Sequence, residues 1–129
     1  MNESIRPVRD VVKPWGGEVV FAEVEGSFVG KVLHVRAGHA LSLQQHRDKD
    51  EVIALAEGSV VMEIGSHESD LVTHELRPGH SVRIRPGTWH RLTAVTDSML
   101  WEVSTAHPGW QTDVVRLQDQ YGRVGTNAP

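Results

Sequence analysis

Two short stretches of the chain, QQHRDKDE at residues 44–51 and IRPGTWH at residues 84–90, decide how the rest of the sequence is interpreted. Each combines potential metal-binding side chains with turn-forming residues: the first leads to Gly58, and the second contains Pro86-Gly87. An amide oxygen, two imidazoles and a carboxylate form a mixed nitrogen and oxygen set that suits a borderline divalent metal. The candidate ligands are Gln44, His46, Glu51 and His90.

The spacing of the first two candidates indicates the secondary structure that carries them. Gln44 and His46 are two residues apart, which puts both side chains on one face of a β-strand because successive side chains alternate. A helix would instead favour ligands three or four residues apart. We therefore expect a metal held inside a β structure, with Glu51 opening the next strand and His90 opening a much later one.

Eight histidines occur in the sequence, so a single histidine is weak evidence for a ligand. The metal prediction depends on the four-residue set and not on any one member of it. We expect the remaining histidines to be ordinary surface or core residues. They are His34, His39, His67, His74, His80 and His107.

The composition excludes several classes of protein. The 129 residues suffice for one domain with a single core. The absence of cysteine excludes thiolate zinc sites, disulfides and cysteine nucleophiles. A net charge of -4, with scattered lysines and arginines, argues against nucleic acid or an anionic membrane as the main partner. No stretch approaches the ~20 apolar residues of a membrane span, and no signal peptide is recognisable, so we expect a cytoplasmic protein.

Hydrophobic periodicity predicts an all-β sandwich or barrel. Short runs rich in Val, Ile, Leu and Trp alternate with Gly and Pro signals at close intervals, and no window carries an amphipathic helical stripe. Strands remote in sequence can meet at one barrel mouth, as in double-sheet jelly rolls. The predicted strands are Glu18–Val24, Phe28–Arg36, Leu41–Gln45, Glu51–Ala56, Ser59–Ile64, Leu71–Leu76, Ser81–Ile84, Trp89–Val95 and Met99–Ser104.

We expect a single domain over residues 1–129, with a core from about residue 13 to about residue 123 and flexible termini. The tail from Gly122 to Pro129 is predicted to be frayed. Just before it, the segment with Asp113, Arg116 and Tyr121 is predicted to fold over the barrel mouth. There these side chains either contact a ligand or form structural ion pairs.

The two stretches resemble the paired motifs of the cupin superfamily, which implies a small jelly-roll barrel with one divalent metal. The first cupin motif usually runs Gly, five residues, His-x-His, three or four residues, Glu, six residues, Gly. The second usually runs Gly, five residues, Pro-x-Gly, two residues, His, three residues, Asn. Matching residues here are Gly38, Gln44, His46, Glu51 and Gly58, then Gly79, Gly87 and His90, whereas Arg85 stands at the proline position and Ala94 replaces the Asn.

A closer resemblance, from about residue 13 to about residue 123, is to the C-terminal domain of type II mannose-6-phosphate isomerases, in which the first motif His is also Gln. It implies a sugar or sugar-phosphate aldose–ketose isomerase. The arginine thought to act near the sugar phosphate is here Lys49, which lacks the bidentate fork of arginine. The resemblance is carried by Lys13-Pro14-Trp15-Gly16, Lys31, Leu41-Ser42-Leu43-Gln44, Gly87, His90-Arg91-Leu92, Glu102-Val103, Asp113-Val114-Val115-Arg116, Asp119 and Tyr121-Gly122-Arg123.

The implied chemistry assigns provisional roles to two lysines. A divalent ion, Zn, Mn, Co, Ni or Fe, would act as a Lewis acid on an α-hydroxy carbonyl substrate and make the neighbouring C–H acidic. Lys31 and Lys49 are candidates for stabilising charge or contacting phosphate, unless they are solvated surface lysines. Glu51 would be a metal ligand, so the base that moves the proton must be another group or a bound hydroxide.

Two other classes of function remain open. Two histidines and a carboxylate also describe an oxygen-activating site, which would make the protein an iron- or nickel-dependent dioxygenase. Alternatively, the metal only anchors a sugar or metabolite in a non-catalytic binding cupin, a reading that Lys49 favours. In each case we expect a small-molecule ligand and a homodimer paired through an open sheet edge.

Overall fold

The computed structural model describes residues 5–126, and these residues fold into strands joined by turns and loops. The part of the chain that is described contains one short 3-10 helix, η1, over Trp110–Thr112. The strands are β1 (Arg9–Lys13), β2 (Gly16–Val24), β3 (Phe28–Val35), β4 (Leu43–Gln45), β5 (Glu51–Glu57), β6 (Val60–Gly65), β7 (Val72–Leu76), β8 (Ser81–Ile84), β9 (Trp89–Ala94), β10 (Ser98–Thr105) and β11 (Val115–Gln118).

The strands form two antiparallel sheets. One has six strands in the order β1-β2-β3-β10-β5-β8, and the other has five in the order β11-β4-β9-β6-β7. Strands remote in sequence are therefore neighbours: β10 lies between β3 and β5, and β9 lies between β4 and β6. The predicted all-β jelly-roll barrel is confirmed.

Strand β10 shows how alternation builds both the core and the site. Its odd-numbered side chains, including Trp101 and Val103, face outward, and its even-numbered side chains are buried. Along the buried face, Leu100 belongs to the hydrophobic core, whereas Glu102 lines a polar cavity. The interior thus changes from apolar to charged within one step along a single strand.

The main hydrophobic core lies between the two sheets. Its apolar side chains are nearly inaccessible to solvent and come from both sheets, which ties the sheets together by the hydrophobic effect. The fully buried members include Leu33, Leu55, Met62, Ile84, Leu92 and Leu100.

The structure adds two strands that the sequence does not predict, β1 and β11. Both are short, and each is an edge strand of its sheet. The tail also differs from the expectation of fraying from Gly122: Arg123 is buried and forms a bidentate ion pair with Asp119. Residues 127–129 of the predicted tail, and residues 1–4, lie outside the described residues.

Within residues 5–126, no helix is long and apolar enough to cross a membrane.

Candidate metal centre

Three of the four predicted ligands converge inside the barrel. The carboxylate oxygen Oε1 of Glu51 lies 3.4 Å from Nε2 of His46 and 3.4 Å from Nε2 of His90. All three residues are buried, and their donor atoms lie within 4.8 Å of one another. This is a compact set of two imidazoles and one carboxylate, as the sequence motifs predict.

The two sheets bring these ligands together from opposite sides. His46 directly follows β4, and His90 lies on the adjacent strand β9 of the five-stranded sheet. Glu51 opens β5 of the six-stranded sheet after the turn at residues 47–50. The turn before β9 is held against the first motif, because the amide of Gly87 donates to the carbonyl of His46 at 2.7 Å.

Backbone carbonyls fix the orientation of both imidazoles. Nδ1 of His46 lies 2.6 Å from the carbonyl oxygen of Asp113, and Nδ1 of His90 lies 3.0 Å from that of Thr88. A carbonyl oxygen can only accept a hydrogen bond, so Nδ1 is the donor in each ring. In its neutral form, each ring then presents the lone pair of Nε2 toward Glu51, the tautomer a metal ligand needs.

The donor atoms fit a bound cation. When both rings are neutral, two Nε2 lone pairs and a carboxylate oxygen face one another at 3.4 Å, an arrangement that a cation between them would stabilise. The nitrogen and oxygen donor set suits Zn, Mn, Co, Ni or Fe without selecting one of them. The protein therefore has a candidate metal site formed by His46, Glu51 and His90.

Gln44, the fourth predicted ligand, lies beside this group. It pairs in register with His90 across β4 and β9 and lines the same cavity. Its side-chain amide nitrogen is 3.5 Å from the carbonyl oxygen of Ser42, which leaves the amide oxygen available. The structure brings Gln44 to the site, and its role as a ligand stays a prediction.

Lys49 is a buried member of the site and not a solvated surface lysine. Its Nζ lies 3.3 Å from Oε2 of Glu51 and 4.0 Å from Oε2 of Glu102. Burial opposes the charge on Lys49, but the carboxylates of Glu102 and Glu51 outweigh it and raise its pKa above the usual value. Burial likewise opposes ionisation of Glu51, yet the ammonium of Lys49 holds the pKa of that carboxyl well below its usual range.

Lys31 is partly buried. With Glu18 and Glu102 it extends the alternation of carboxylate and ammonium groups that begins with Glu51 and Lys49. Its Nζ lies 3.2 Å from Oε1 of Glu18, 3.9 Å from Oε2 of Glu102 and 5.5 Å from the centre of the Trp110 ring. Burial, followed by repulsion from Glu51, raises the pKa of Glu102 above its usual range. Oε2 of Glu102 is buried and has no hydrogen-bond partner among the described residues.

The metal candidates open onto a cavity of about 270 Å³ that runs toward the edge strands β1 and β11. The aromatic side chains of Trp15 and Trp110 are part of its wall. Although the whole chain carries a net charge of -4, cations outnumber carboxylates around this cavity. The lining contains the cations Arg9, Lys13, Lys31, Lys49, Arg116 and Arg123 and the carboxylates Glu18, Glu51, Glu102 and Asp113.

The segment after β10 folds over the cavity, as predicted, and Asp113 organises the first motif. Its carboxylate accepts hydrogen bonds from the backbone amides of Arg47, Asp48 and Lys49 at 2.7, 3.0 and 3.0 Å. These bonds hold the turn that separates His46 from Glu51. Tyr121 instead contacts His39, with its hydroxyl 2.7 Å from Nδ1.

Sequence reasoning missed several residues of the cavity. Glu18, Glu102 and Trp110 were not among the predicted site residues, although all three line the cavity and all three contact Lys31. The available signal for Glu18 was its position two residues before Val20 on the inward face of β2. Trp110 lies in a loop and a short 3-10 helix, where strand periodicity gives no information.

A second group of acidic and imidazole side chains lies nearer the surface. Asp48, His107 and Asp113 could approach one cation. However, both carboxylate oxygens of Asp113 already accept backbone hydrogen bonds, and Asp48 is exposed. We assign no metal to this group.

Comparison with known proteins decides the family. A protein-family model described as "Cupin domain" matches residues 31–101, more than half of the chain. The chain belongs to the cupin family. No curated protein sequence matches the chain. The closer resemblance to mannose-6-phosphate isomerases receives no specific support from these comparisons.

Solved cupin-like structures share the fold at low sequence identity. The capsular polysaccharide assembling protein CapF from Staphylococcus aureus is 17% identical with a TM-score of 0.71, covering 89% of this chain and 33% of CapF. KdgF from Halomonas sp. is 18% identical with a TM-score of 0.64, covering 78% of this chain and 88% of KdgF. Oxalate decarboxylase from Bacillus subtilis is 15% identical with a TM-score of 0.71, covering 85% of this chain and 30% of the enzyme. This cupin therefore spans about a third of the length of CapF and of oxalate decarboxylase.

Proposed function

We propose that this cupin is a metal-dependent isomerase that interconverts an aldose and a ketose, as free sugars or sugar phosphates. The observation that carries the proposal is the position of Glu102. A single ammonium, Nζ of Lys49, lies between the metal candidate Glu51 and this second buried carboxyl. The site therefore offers both a place for a Lewis acid and a separate group that can carry a proton.

The chain's own residues divide the work of such a reaction. When bound by His46, Glu51 and His90, a divalent metal would polarise the carbonyl and hydroxyl oxygens of an α-hydroxy carbonyl compound. The Glu102 carboxylate would remove the proton from the carbon that bears the hydroxyl and return it to the former carbonyl carbon. The hydroxyl proton moves to the other oxygen, so nothing is gained or lost overall.

The electrostatics of Glu102 suit this exchange. A general base works best when its pKa approaches the working pH, and burial shifts the pKa of Glu102 in that direction. Lys31 and Lys49 flank the carboxyl at 3.9 and 4.0 Å and would stabilise negative charge on the substrate oxygens. The walls formed by Trp15 and Trp110 add apolar surface for the C–H face of a sugar ring.

The test is a matched pair of variants assayed with the metal-loaded protein. The substrates are mannose, glucose and their 6-phosphates, followed by nuclear magnetic resonance in D₂O so that deuterium uptake at carbon reports proton transfer. Glu102→Gln should lower the rate by about 100-fold or more with unchanged metal content. Glu63→Gln, which removes a carboxylate paired with Arg91, should not. Absence of any interconversion by the wild-type protein would refute the isomerase proposal.

A dioxygenase is a second candidate function, because a set of two His and one Glu also supports oxygen activation by iron. Oxygen consumption that depends on Fe(II) would identify it. A non-catalytic binding cupin would instead bind a sugar tightly without turnover or deuterium uptake. The Glu102 carboxyl, which neither alternative requires, favours the isomerase.

We also propose that the protein is a homodimer, as cupins often form oligomers. An apolar patch, formed by Phe21, Val52, Trp101 and Val103, is exposed on the outer face of the six-stranded sheet. Val103 pairs with Gly30 and Val52, and the ring of Phe21 lies over Gly30, so the patch is continuous across four strands. Exposed apolar surface of this kind marks interaction sites, and it is a stronger candidate than a sheet edge. A cytoplasmic location stays a prediction.

A further inference from the structure

The cations around the cavity differ in how their charge is balanced. Four of them each have a carboxylate within 3.3 Å: Arg9 pairs with Glu23, Lys31 with Glu18, Lys49 with Glu51 and Arg123 with Asp119. The remaining two are Lys13 and Arg116. Lys13 lies 3.8 Å from Glu18, which is already closer to Lys31, and Arg116 has no carboxylate within 4.0 Å among residues 5–126.

These two cations line the same cavity from different sheets. Lys13 ends β1, an edge strand of the six-stranded sheet, and Arg116 lies on β11, an edge strand of the other sheet. Arg116 pairs in register with Gln44, and Gln44 pairs with His90. One row of side chains thus leads from Arg116 to the metal candidates over two strand spacings, about 10 Å.

The local electrostatics favour an added negative charge. Burial, together with repulsion from Lys31, Arg123 and Arg116, outweighs Glu18 and lowers the pKa of Lys13. Burial and repulsion from Arg123 similarly lower the pKa of Arg116. Among residues 5–126, the buried Nε of Arg116 has no hydrogen-bond partner. Its Nη1 donates to the carbonyl of Thr126 at 3.3 Å. A buried guanidinium donor without an acceptor is costly, and a bound oxyanion would satisfy it.

We propose that Lys13 and Arg116 form a subsite for the anionic group, a phosphate or a carboxylate, of a small ligand whose other end reaches the metal candidates. The inference deepens the proposed function by specifying an anionic substrate, and it places the anion at the cavity mouth, away from Lys49. Arg116 provides a planar donor and Lys13 a point charge, a combination suited to oxyanions.

The test measures anion binding to metal-free protein, so that it does not depend on turnover. Chelator-treated protein is titrated by calorimetry with inorganic phosphate and, separately, with acetate, which distinguishes the two anionic groups. Lys13→Gln and Arg116→Gln should each lower the affinity for the anion by about tenfold. Arg116→Lys should lower it less. Arg83→Gln removes the same charge from an exposed ion pair with Asp50 outside the cavity lining and should leave affinity unchanged.

The outcomes separate this proposal from the proposed function. Arg116→Gln also removes the hydrogen bond to Thr126, which could itself affect folding. Lys13→Gln is therefore measured as a second variant, and denaturation curves are recorded for both proteins. Binding of neither anion at millimolar concentration, or equal weakening by Arg83→Gln, would overturn the subsite. Neither result would bear on the metal content or on the isomerase assay with neutral aldoses. The anion subsite can therefore be wrong while the proposed isomerase function is right.

Discussion

At the scale of single residues, the site combines charges that are individually unfavourable inside a protein. Glu51, Lys49 and Glu102 are all buried, and an isolated buried charge is strongly disfavoured. The alternation of carboxylate and ammonium groups at 3.3 to 4.0 Å offsets this cost. Removing one member leaves the adjacent charge without its partner, so single substitutions here are expected to lower stability.

Asp113 provides a residue-scale prediction because one carboxylate holds the turn between two metal candidates. Asp113→Asn keeps the shape of the side chain but loses the negative charge of the carboxylate, which accepts hydrogen bonds from the backbone amides of residues 47–49. We expect the free energy of unfolding to fall by about 1–3 kcal/mol and metal affinity to fall by about 10- to 100-fold. Chemical denaturation and metal titration measure these two effects.

The control for this substitution is Asp48→Asn, which changes an exposed neighbouring carboxylate. The pH dependence gives a further check. Burial opposes the charge, but the three amides lower the pKa of Asp113 below its unfolded value. Its contribution is therefore present above an ordinary aspartate pKa of about 4 and disappears as the pH falls through the folded-state pKa. A stability difference that persists unchanged into strong acid would contradict this role.

Residue identity and spacing were enough to select the metal candidates, and the structure brings their side chains together. They were not enough to assign Lys49, which could equally have been a surface lysine, or to find Glu18. The contact between Lys31 and Glu18 depends on the register of β2 and β3, which contains a bulge between Val20 and Ala22. A pairing register of this kind is set by tertiary packing and is not visible in a single sequence.

At the scale of elements, the predicted strands match the structure and the missed ones are informative. Strand β10 was predictable because buried and exposed side chains alternate along its length. Strand β1 has no apolar alternation, and β11 alternates over only four residues, Val115–Gln118, which is too short to be recognised. Both are formed by pairing with β2 and β4. Edge strands need only one neighbour and tolerate polar side chains on both faces. The two elements that supply Lys13 and Arg116 are thus the ones sequence periodicity could not reveal.

Gly58 provides the prediction for an element, the turn between β5 and β6. Its φ is +101°, and an added Cβ would lie 2.3 Å from Oγ of Ser98 and 2.7 Å from the carbonyl oxygen of Asp97. Gly58→Ala should therefore lower the free energy of unfolding by about 2–4 kcal/mol. Equilibrium denaturation in urea provides the measurement.

The matched control for the turn is Gly26→Ala. Gly26 also has a positive φ, +82°, but its added Cβ would meet nothing within 4 Å. The cost should then be only that of the backbone conformation, about 1–2 kcal/mol. Equal destabilisation by the two substitutions would show that crowding against β10 is unimportant.

At the scale of the whole molecule, the outer apolar patch predicts self-association. Trp101→Glu would place a charge in the centre of the proposed dimer interface, so we expect the mass in solution to fall from two chains to one. Light scattering after gel filtration measures this directly. Val72→Glu changes an equally exposed apolar residue on β7 of the other sheet and should leave the mass unchanged. A monomeric wild-type protein would contradict the dimer.

The two sheets, each carrying part of the ligand set, make the metal site a property of the closed barrel. The most direct test of the account is the metal content, by plasma mass spectrometry, of untagged protein purified without chelator. We predict about one equivalent of a divalent transition metal per chain, and a large loss in His46→Ala and His90→Ala, with the fold retained by circular dichroism. No metal in the wild-type protein after reconstitution, or full occupancy in both variants, would contradict the assignment.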